Sequence, residues 1–152
     1  MIIAVNEQNL RDAGHIHSEA WKQSHRSFCS AAFIEKHTAA AQTDYLRDQI
    51  KQGKRVFLLI EDTPIGVVSV HEGLIENLYV LPSQQNRGYG TQLLLFAIGQ
   101  CSQTPTLWLL SNNERAYRLY AKHGFVKTGQ VHRLNDTLYE FELQRSALPP
   151  FK

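Results

Sequence analysis

Residues Gln85-Asn86-Arg87-Gly88-Tyr89-Gly90 stand between an apolar, strand-like run ending at Val80 and an apolar, helix-like run opening at Thr91. A chain with this order must leave a strand, turn sharply and enter a helix within a few residues. Two glycines spaced by one residue permit that turn, because no Cβ obstructs it and successive peptide N–H groups can face one concavity. The concavity falls at a helix N-terminus, where the first N–H groups have no partner and the helix dipole favours an anion. Arg87 adds a full positive charge. The loop therefore reads as a phosphate holder, although by itself it is also compatible with a plain turn.

Two familiar nucleotide loops do not fit. A P-loop requires Lys and then Ser or Thr after its last glycine, whereas Gly90 is followed by Thr91 and Gln92. A dinucleotide fingerprint requires a third small residue where Leu93 stands, and it normally opens the first strand-helix unit of a chain.

A second constellation lies about one helix and one strand downstream, in Leu107-Trp108-Leu109-Leu110-Ser111-Asn112-Asn113-Glu114-Arg115-Ala116-Tyr117-Arg118-Leu119-Tyr120-Ala121-Lys122-His123-Gly124-Phe125. It begins as a strand and continues as a helix. Ser111 and Glu114 have capping-box spacing, which starts the helix near Asn112, and Gly124 is placed to stop it. At about 100° per residue, Asn113, Ala116, Tyr117 and Tyr120 share one face, with Asn113 and Tyr120 roughly 10 Å apart along the axis. A small residue between two polar ones leaves room for a ligand.

Together, QNRGYG and LWLLSNNERAYRLYAKHGF resemble the acyl-CoA-binding core of the GNAT acetyltransferase superfamily. The first segment matches its motif of Gln or Arg, two residues, Gly, one residue, then Gly or Ala. The second is similar in the spacing of Asn113, Ala116, Tyr120 and Gly124-Phe125. The strong resemblance covers residues 74 to 125. It implies an α/β (α+β) fold with a mixed, mostly antiparallel sheet of about seven strands flanked by about four helices and splayed at the acyl-CoA site.

Composition agrees. A chain of 152 residues with 43% apolar content suits a single domain over residues 1–152, able to bury roughly two-thirds of its extended surface without a metal or disulfide. A net charge of +2 with dispersed basic residues argues for neither nucleic acid nor an anionic membrane as partner. Cys29 and Cys101 make no disulfide framework and read as buried thiols of a reducing compartment. The N-terminal segment lacks the basic and apolar stretches of a signal peptide, and the longest apolar run, Leu93 to Ile98, is too short to span a bilayer. A cytoplasmic protein is expected.

Periodicity predicts a first strand at residues 1 to 5, helices at 8 to 28 and about 40 to 52, and strands at 55 to 61, 65 to 71 and 74 to 81. A helix at 88 to 101, a strand at 106 to 110, a helix at 112 to 122 and a hairpin of about 125 to 131 and 136 to 143 follow. Ser146 to Lys152 reads as a tail. Trp21, Phe28, Phe33, Ile34, Tyr45, Leu46 and Ile50 are the expected packing residues of the first helices.

The resemblance implies acetyl-CoA (coenzyme A) as cofactor and a primary amine, in a small molecule, peptide or protein, as acceptor. The pantetheine arm would pair with the backbone of Leu78, Tyr79 and Val80, and the pyrophosphate would meet Gln85, Arg87, Gly88, Tyr89, Gly90 and Thr91. Asn113, Ala116 and Tyr120 would complete the cofactor site, with Asn113 bonding the arm or merely capping its helix. The implied chemistry is direct attack of the amine on the acetyl carbonyl, with a backbone N–H near Tyr79 facing the oxyanion. Tyr120 holds the family's general-acid position; the alternative is that it only packs against the arm.

An amine of pKa about 10 must lose a proton before it attacks. Glu76 is the candidate base, since alternation puts it on a sheet face with Leu74 and Leu78; a wet surface, a lysine partner, or water as base are the alternatives. Trp21, with Lys22, His25 and Arg26, resembles the segment that walls the acceptor site, and core packing is the other reading. The seven histidines show no ligand spacing, so no metal is expected; His71 and His132 read as strand ends at the surface, with a place in the acceptor cleft as the alternative. A noncatalytic acyl-CoA-binding module and a nucleotide-binding regulator remain as competing functions. The residues do not reveal oligomeric state, although dimers are common in the resembled family.

Overall fold

Apolar runs in the middle of the chain become strands covered on both faces. The computed structural model describes residues 1–146; the expected tail lies, beyond Ser146, outside the described residues. Elements follow in the order β1 (Ile2–Ala4), α1 (Leu10–His25), α2 (Ala31–Glu35), α3 (Ala39–Lys51), β2 (Arg55–Ile60), β3 (Pro64–His71), β4 (Leu74–Val80), α4 (Tyr89–Gln100), β5 (Thr106–Leu110), α5 (Glu114–Lys122), β6 (Phe125–Arg133) and β7 (Tyr139–Arg145). The seven strands form one sheet in the order β1-β2-β3-β4-β5-β7-β6. All neighbouring pairs are antiparallel except β4 with β5.

The two faces carry separate apolar layers. Val56, Leu58 and Val67 point towards Leu10, Ala13, Ile16 and Leu46 of α1 and α3. Phe57, Leu59, Val68 and Val70 pack on the opposite side with Leu93, Leu94 and Ala97 of α4. Strands covered on both faces become nearly continuous hydrophobic runs, as β2 and β3 do. Among the described residues no helix is long and apolar enough to cross a membrane.

The α1–α3 layer is tight enough to require a glycine. A Cβ built on Gly14 would stand 2.9 Å from the Thr43 Cα and closer still to its hydroxyl. Gly14→Ala is therefore expected to cost about 1–3 kcal/mol of stability, because only a backbone shift relieves the contact. Chemical denaturation checks this, and an unchanged midpoint would show that the helices separate freely.

Several sequence expectations need correction. The helix expected over 8 to 28 ends at His25; the chain turns, and α2 starts behind Ser30, whose hydroxyl accepts the Phe33 N–H at 3.2 Å. Phe28, Phe33 and Tyr45 are exposed at the surface, where they touch neighbouring rings, while Ile34 and Leu46 are buried as expected. The helix expected at 112 begins at Glu114, and its cap is Asn113 rather than Ser111. Ser111 instead bonds the backbone of Tyr139, its N–H donating to the Tyr139 carbonyl and its hydroxyl accepting the Tyr139 N–H. The closing hairpin is shifted because Asn135 Oδ1 accepts the N–H groups of Thr137 and Leu138 at 2.9 Å, which uses these residues in the turn.

Candidate functional site

The sheet comes apart at its centre. Strands β4 and β5 share the single pair Leu74↔Thr106 and then diverge, so the β4 edge beyond Leu74 faces β5 across a wedge instead of a ladder. A cleft of about 750 Å³ occupies the opening, within the usual range for small-molecule sites. Leu78, Tyr79 and Val80 form one wall, and Trp108 and Leu110 of β5 the other.

At one end of the wedge stands the glycine loop. Asn86 and Gly88 have φ of 67° and 86°, and Gly88 caps α4 from this left-handed conformation without any side-chain hydrogen bond. The first backbone donors of α4 are thus directed out of the helix, into a region lined by Gly88, Tyr89, Gly90 and Thr91. Gln85 also lines the cleft, with its amide nitrogen held by the Val80 carbonyl at 3.0 Å and Gln23 Oε1 at 2.9 Å. Arg87 is exposed and lies outside the lining.

Helix α5 closes the other side. Asn113, Ala116 and Tyr120 all face the cleft, whereas Tyr117, expected on the same helical face, lies outside the lining and meets Phe141 edge-on at 6.2 Å. Asn113 Oδ1 accepts the Ala116 N–H at 3.2 Å, which leaves its amide nitrogen as the group able to bond a ligand. Burial pushes the Tyr120 phenol up to about 12, although the residue as a whole keeps some exposed surface; the ring lies 6.0 Å from Phe125. It remains protonated at neutral pH and is therefore a hydrogen-bond donor.

Strand β4 does not alternate throughout. Val67 pairs with Tyr79 and Ser69 with Glu76, so one residue of β3 is opposed by two of β4, and Asn77 takes a left-handed φ of 54°. This bulge places Glu76 and Tyr79 on the α1–α3 side while Leu78 packs into the other layer. The expected common face of Glu76 and Leu78 is thereby corrected: alternation fails at an inserted residue. Glu76 lines the cleft and bonds Lys54 Nζ through Oε1 at 2.8 Å.

Trp21 lies outside the lining, sandwiched between the rings of His25 at 3.9 Å and His37 at 3.4 Å; His25 itself reaches the cleft. His71 stands away from the cleft, and His132 stacks on Trp108 at 4.3 Å. The residue that sequence reasoning missed is His17. It is 4% exposed and bonds Asn77 Oδ1 at 3.0 Å. Its position on one helical face with Ala13, Ile16 and Ala20 was the available signal.

Comparison with known proteins agrees with this fold. The family model described as the acetyltransferase (GNAT) domain matches residues 52–127, and the chain belongs to that family. Solved structures share the fold over nearly the whole chain. PaiA N-acetyltransferase from Thermoplasma acidophilum in complex with coenzyme A has a TM-score of 0.71 at 18% identity, covering 95% of this chain and 98% of that one. A GNAT-family acetyltransferase from Bacillus cereus has a TM-score of 0.74 at 17% identity, covering 98% of each. The spermidine N-acetyltransferase SpeG from Vibrio cholerae has a TM-score of 0.66 at 18% identity, covering 95% of this chain and 94% of that one. No curated protein matches the chain in sequence.

Proposed function

We propose that the protein transfers an acetyl group from acetyl-CoA to a primary amine, the amine attacking directly while both are bound. The observation that carries this reading is the meeting, in one cleft, of an unpaired β4 edge with the unpaired amides at the start of α4. An extended, amide-bearing arm can hydrogen-bond the edge as an added strand, and a diphosphate at its end suits the helix N-terminus. A structural neighbour solved in complex with coenzyme A supports this cofactor.

In this reading the thioester supplies an activated acetyl group. The amine nitrogen forms the new C–N bond, the C–S bond breaks, and the coenzyme leaves as a thiolate. Backbone N–H groups at the Asn77–Tyr79 bulge face the carbonyl oxygen as it gains charge. Tyr120 donates a hydrogen bond to the departing sulfur. Glu76 accepts the amine proton directly or through water, using the oxygen that Lys54 does not hold.

The cleft also favours one kind of acceptor. Glu76 is the only carboxylate among the described lining residues, and Lys54 already neutralises it. A polyamine's remaining ammonium groups would find no anion there, so a monoamine or peptide amine is the expected substrate class. The kcat/KM for a simple monoamine should exceed that for spermidine by at least about tenfold, equivalent to roughly 1.4 kcal/mol; the reverse order would overturn this assignment. Calorimetry with coenzyme A and acetyl-CoA tests the cofactor, and release of free thiol on adding amines tests transfer. Absence of heat with both forms of the cofactor would sink the proposal.

A further inference from the structure

Burying a histidine in an apolar layer is costly unless both ring nitrogens are satisfied. His17 satisfies one. Its Nε2 lies 3.0 Å from Asn77 Oδ1, whereas Nδ1 is buried without a partner. With the amide nitrogen of Asn77 towards Ser69 Oγ at 3.2 Å and the Tyr45 hydroxyl at 3.3 Å, Oδ1 is the atom facing His17, and in this assigned orientation His17 donates from Nε2. Nδ1 is then a lone pair with no donor. A leucine would bury similar surface without that deficit, so packing alone does not account for a histidine here.

Its partner stands where β4 departs from regularity. Asn77 is the left-handed residue of the bulge, a conformation that asparagine tolerates but does not enforce. Enforcement comes from outside the strand, because α1 contributes His17, β3 contributes Ser69 and α3 contributes Tyr45, all converging on one side chain. The ring of His17 also meets Tyr79, two residues along β4, edge-on at 4.8 Å. The segment between these two contacts lines the cleft.

We infer that His17 is a positioning residue, holding the β4 bulge through Asn77 so that the backbone from Asn77 to Tyr79 faces the reacting carbonyl in one fixed orientation. This inference rests on the acetyl-transfer reading. Burial lowers the pKa of the ring to about 4, against the hydrogen bond to Asn77, which favours the charged form. The titratable groups around it are Tyr45 and Tyr79, in ring contact, with His25 and His37 as more distant repelling charges.

The test combines three variants with two readouts. His17→Leu removes the donor, His17→Gln returns an amide N–H near the position of Nε2, and Asn77→Gly keeps the left-handed backbone while deleting the acceptor. In thiol-release assays with a monoamine, His17→Leu should lose about 10- to 100-fold in kcat, the scale of a small misplacement of catalytic groups, with KM for acetyl-CoA within about threefold. His17→Gln should return to within about threefold of the parent protein, and in the Asn77→Gly background His17→Leu should cost nothing further.

Equal losses in His17→Leu and His17→Gln, an undiminished loss in the Asn77→Gly background, or a change confined to KM would overturn the inference. Amide hydrogen exchange decides the structural half without any turnover. Asn77→Gly, which also serves if His17→Leu does not fold, should exchange the amides of residues 77–80 at least about tenfold faster than the parent protein. Unchanged exchange refutes the positioning role even in an active enzyme. Conversely, a parent protein that shows these exchange effects but never releases thiol refutes the transferase reading alone.

Discussion

Replacing Tyr120 by phenylalanine is expected to lower kcat by about a hundredfold, roughly 2.7 kcal/mol of transition-state stabilisation, while coenzyme A binding changes by less than about threefold. The reasoning starts from the phenol's surroundings. Its ring packs beside Phe125 and the apolar layer beneath α4, contacts that phenylalanine retains, so neither fold nor cleft shape should suffer. The hydroxyl has a pKa near 12, well above a thiol at about 8.5 in water. It therefore serves as a neutral donor that stabilises charge on sulfur as the C–S bond stretches, and the dry surroundings that raise the phenol also raise the thiol. Stopped-flow measurement of thiol release, with calorimetry for binding, separates the outcomes. Unaltered kcat would reduce Tyr120 to a packing residue, and lost binding with intact kcat would make it a cofactor contact only.

Acid should weaken the fold well before the carboxylates titrate. His17 has a folded pKa of about 4, against an ordinary 6.5, because burial disfavours its charged form. Between these values the unfolded chain binds a proton that the folded protein refuses. The associated stability is fully present above pH 6.5 and is lost as pH falls towards 4. A difference of this size corresponds to about 3 kcal/mol, a large share of the stability of a domain. Urea denaturation at pH 7 and pH 4 should show the loss, and His17→Gln, which cannot titrate, should remove most of it. The same slope in the variant would assign the acid sensitivity to other groups. Glu7, whose carboxyl is held below its usual range by its hydrogen bond to Arg47, loses its own contribution only at lower pH.

The strand–loop–helix at the site was legible because three local signals agree there: apolar β4, a glycine that tolerates left-handed φ at position 88, and the apolar run of α4. The Asn113, Ala116, Tyr120 face was legible for the same reason, since helical spacing depends on neighbours a few residues away. What escaped depends on distant partners. The β4 bulge has no marker apart from an asparagine that tolerates its conformation, so plain alternation put Glu76 on the face of Leu78. The break between α1 and α2 was hidden because amphipathic spacing runs on past His25, although Ser30 three residues before Phe33 is a recognisable cap. Tyr45 was expected to pack by its type, whereas its hydroxyl is drawn to Asn77 on β4. His17 gained meaning only once β4 was in place beside α1.

The lone Leu74↔Thr106 rung divides the sheet into a four-stranded and a three-stranded half. Backbone bonding is nearly absent along this seam, and the halves are joined instead by one shared apolar layer in which Ile75 and Val80 meet Leu107, Leu109 and Leu143. An extended molecule paired with the free β4 edge would supply backbone bonds that the sheet itself lacks there, so its binding adds to the stability of the folded scaffold by mass action.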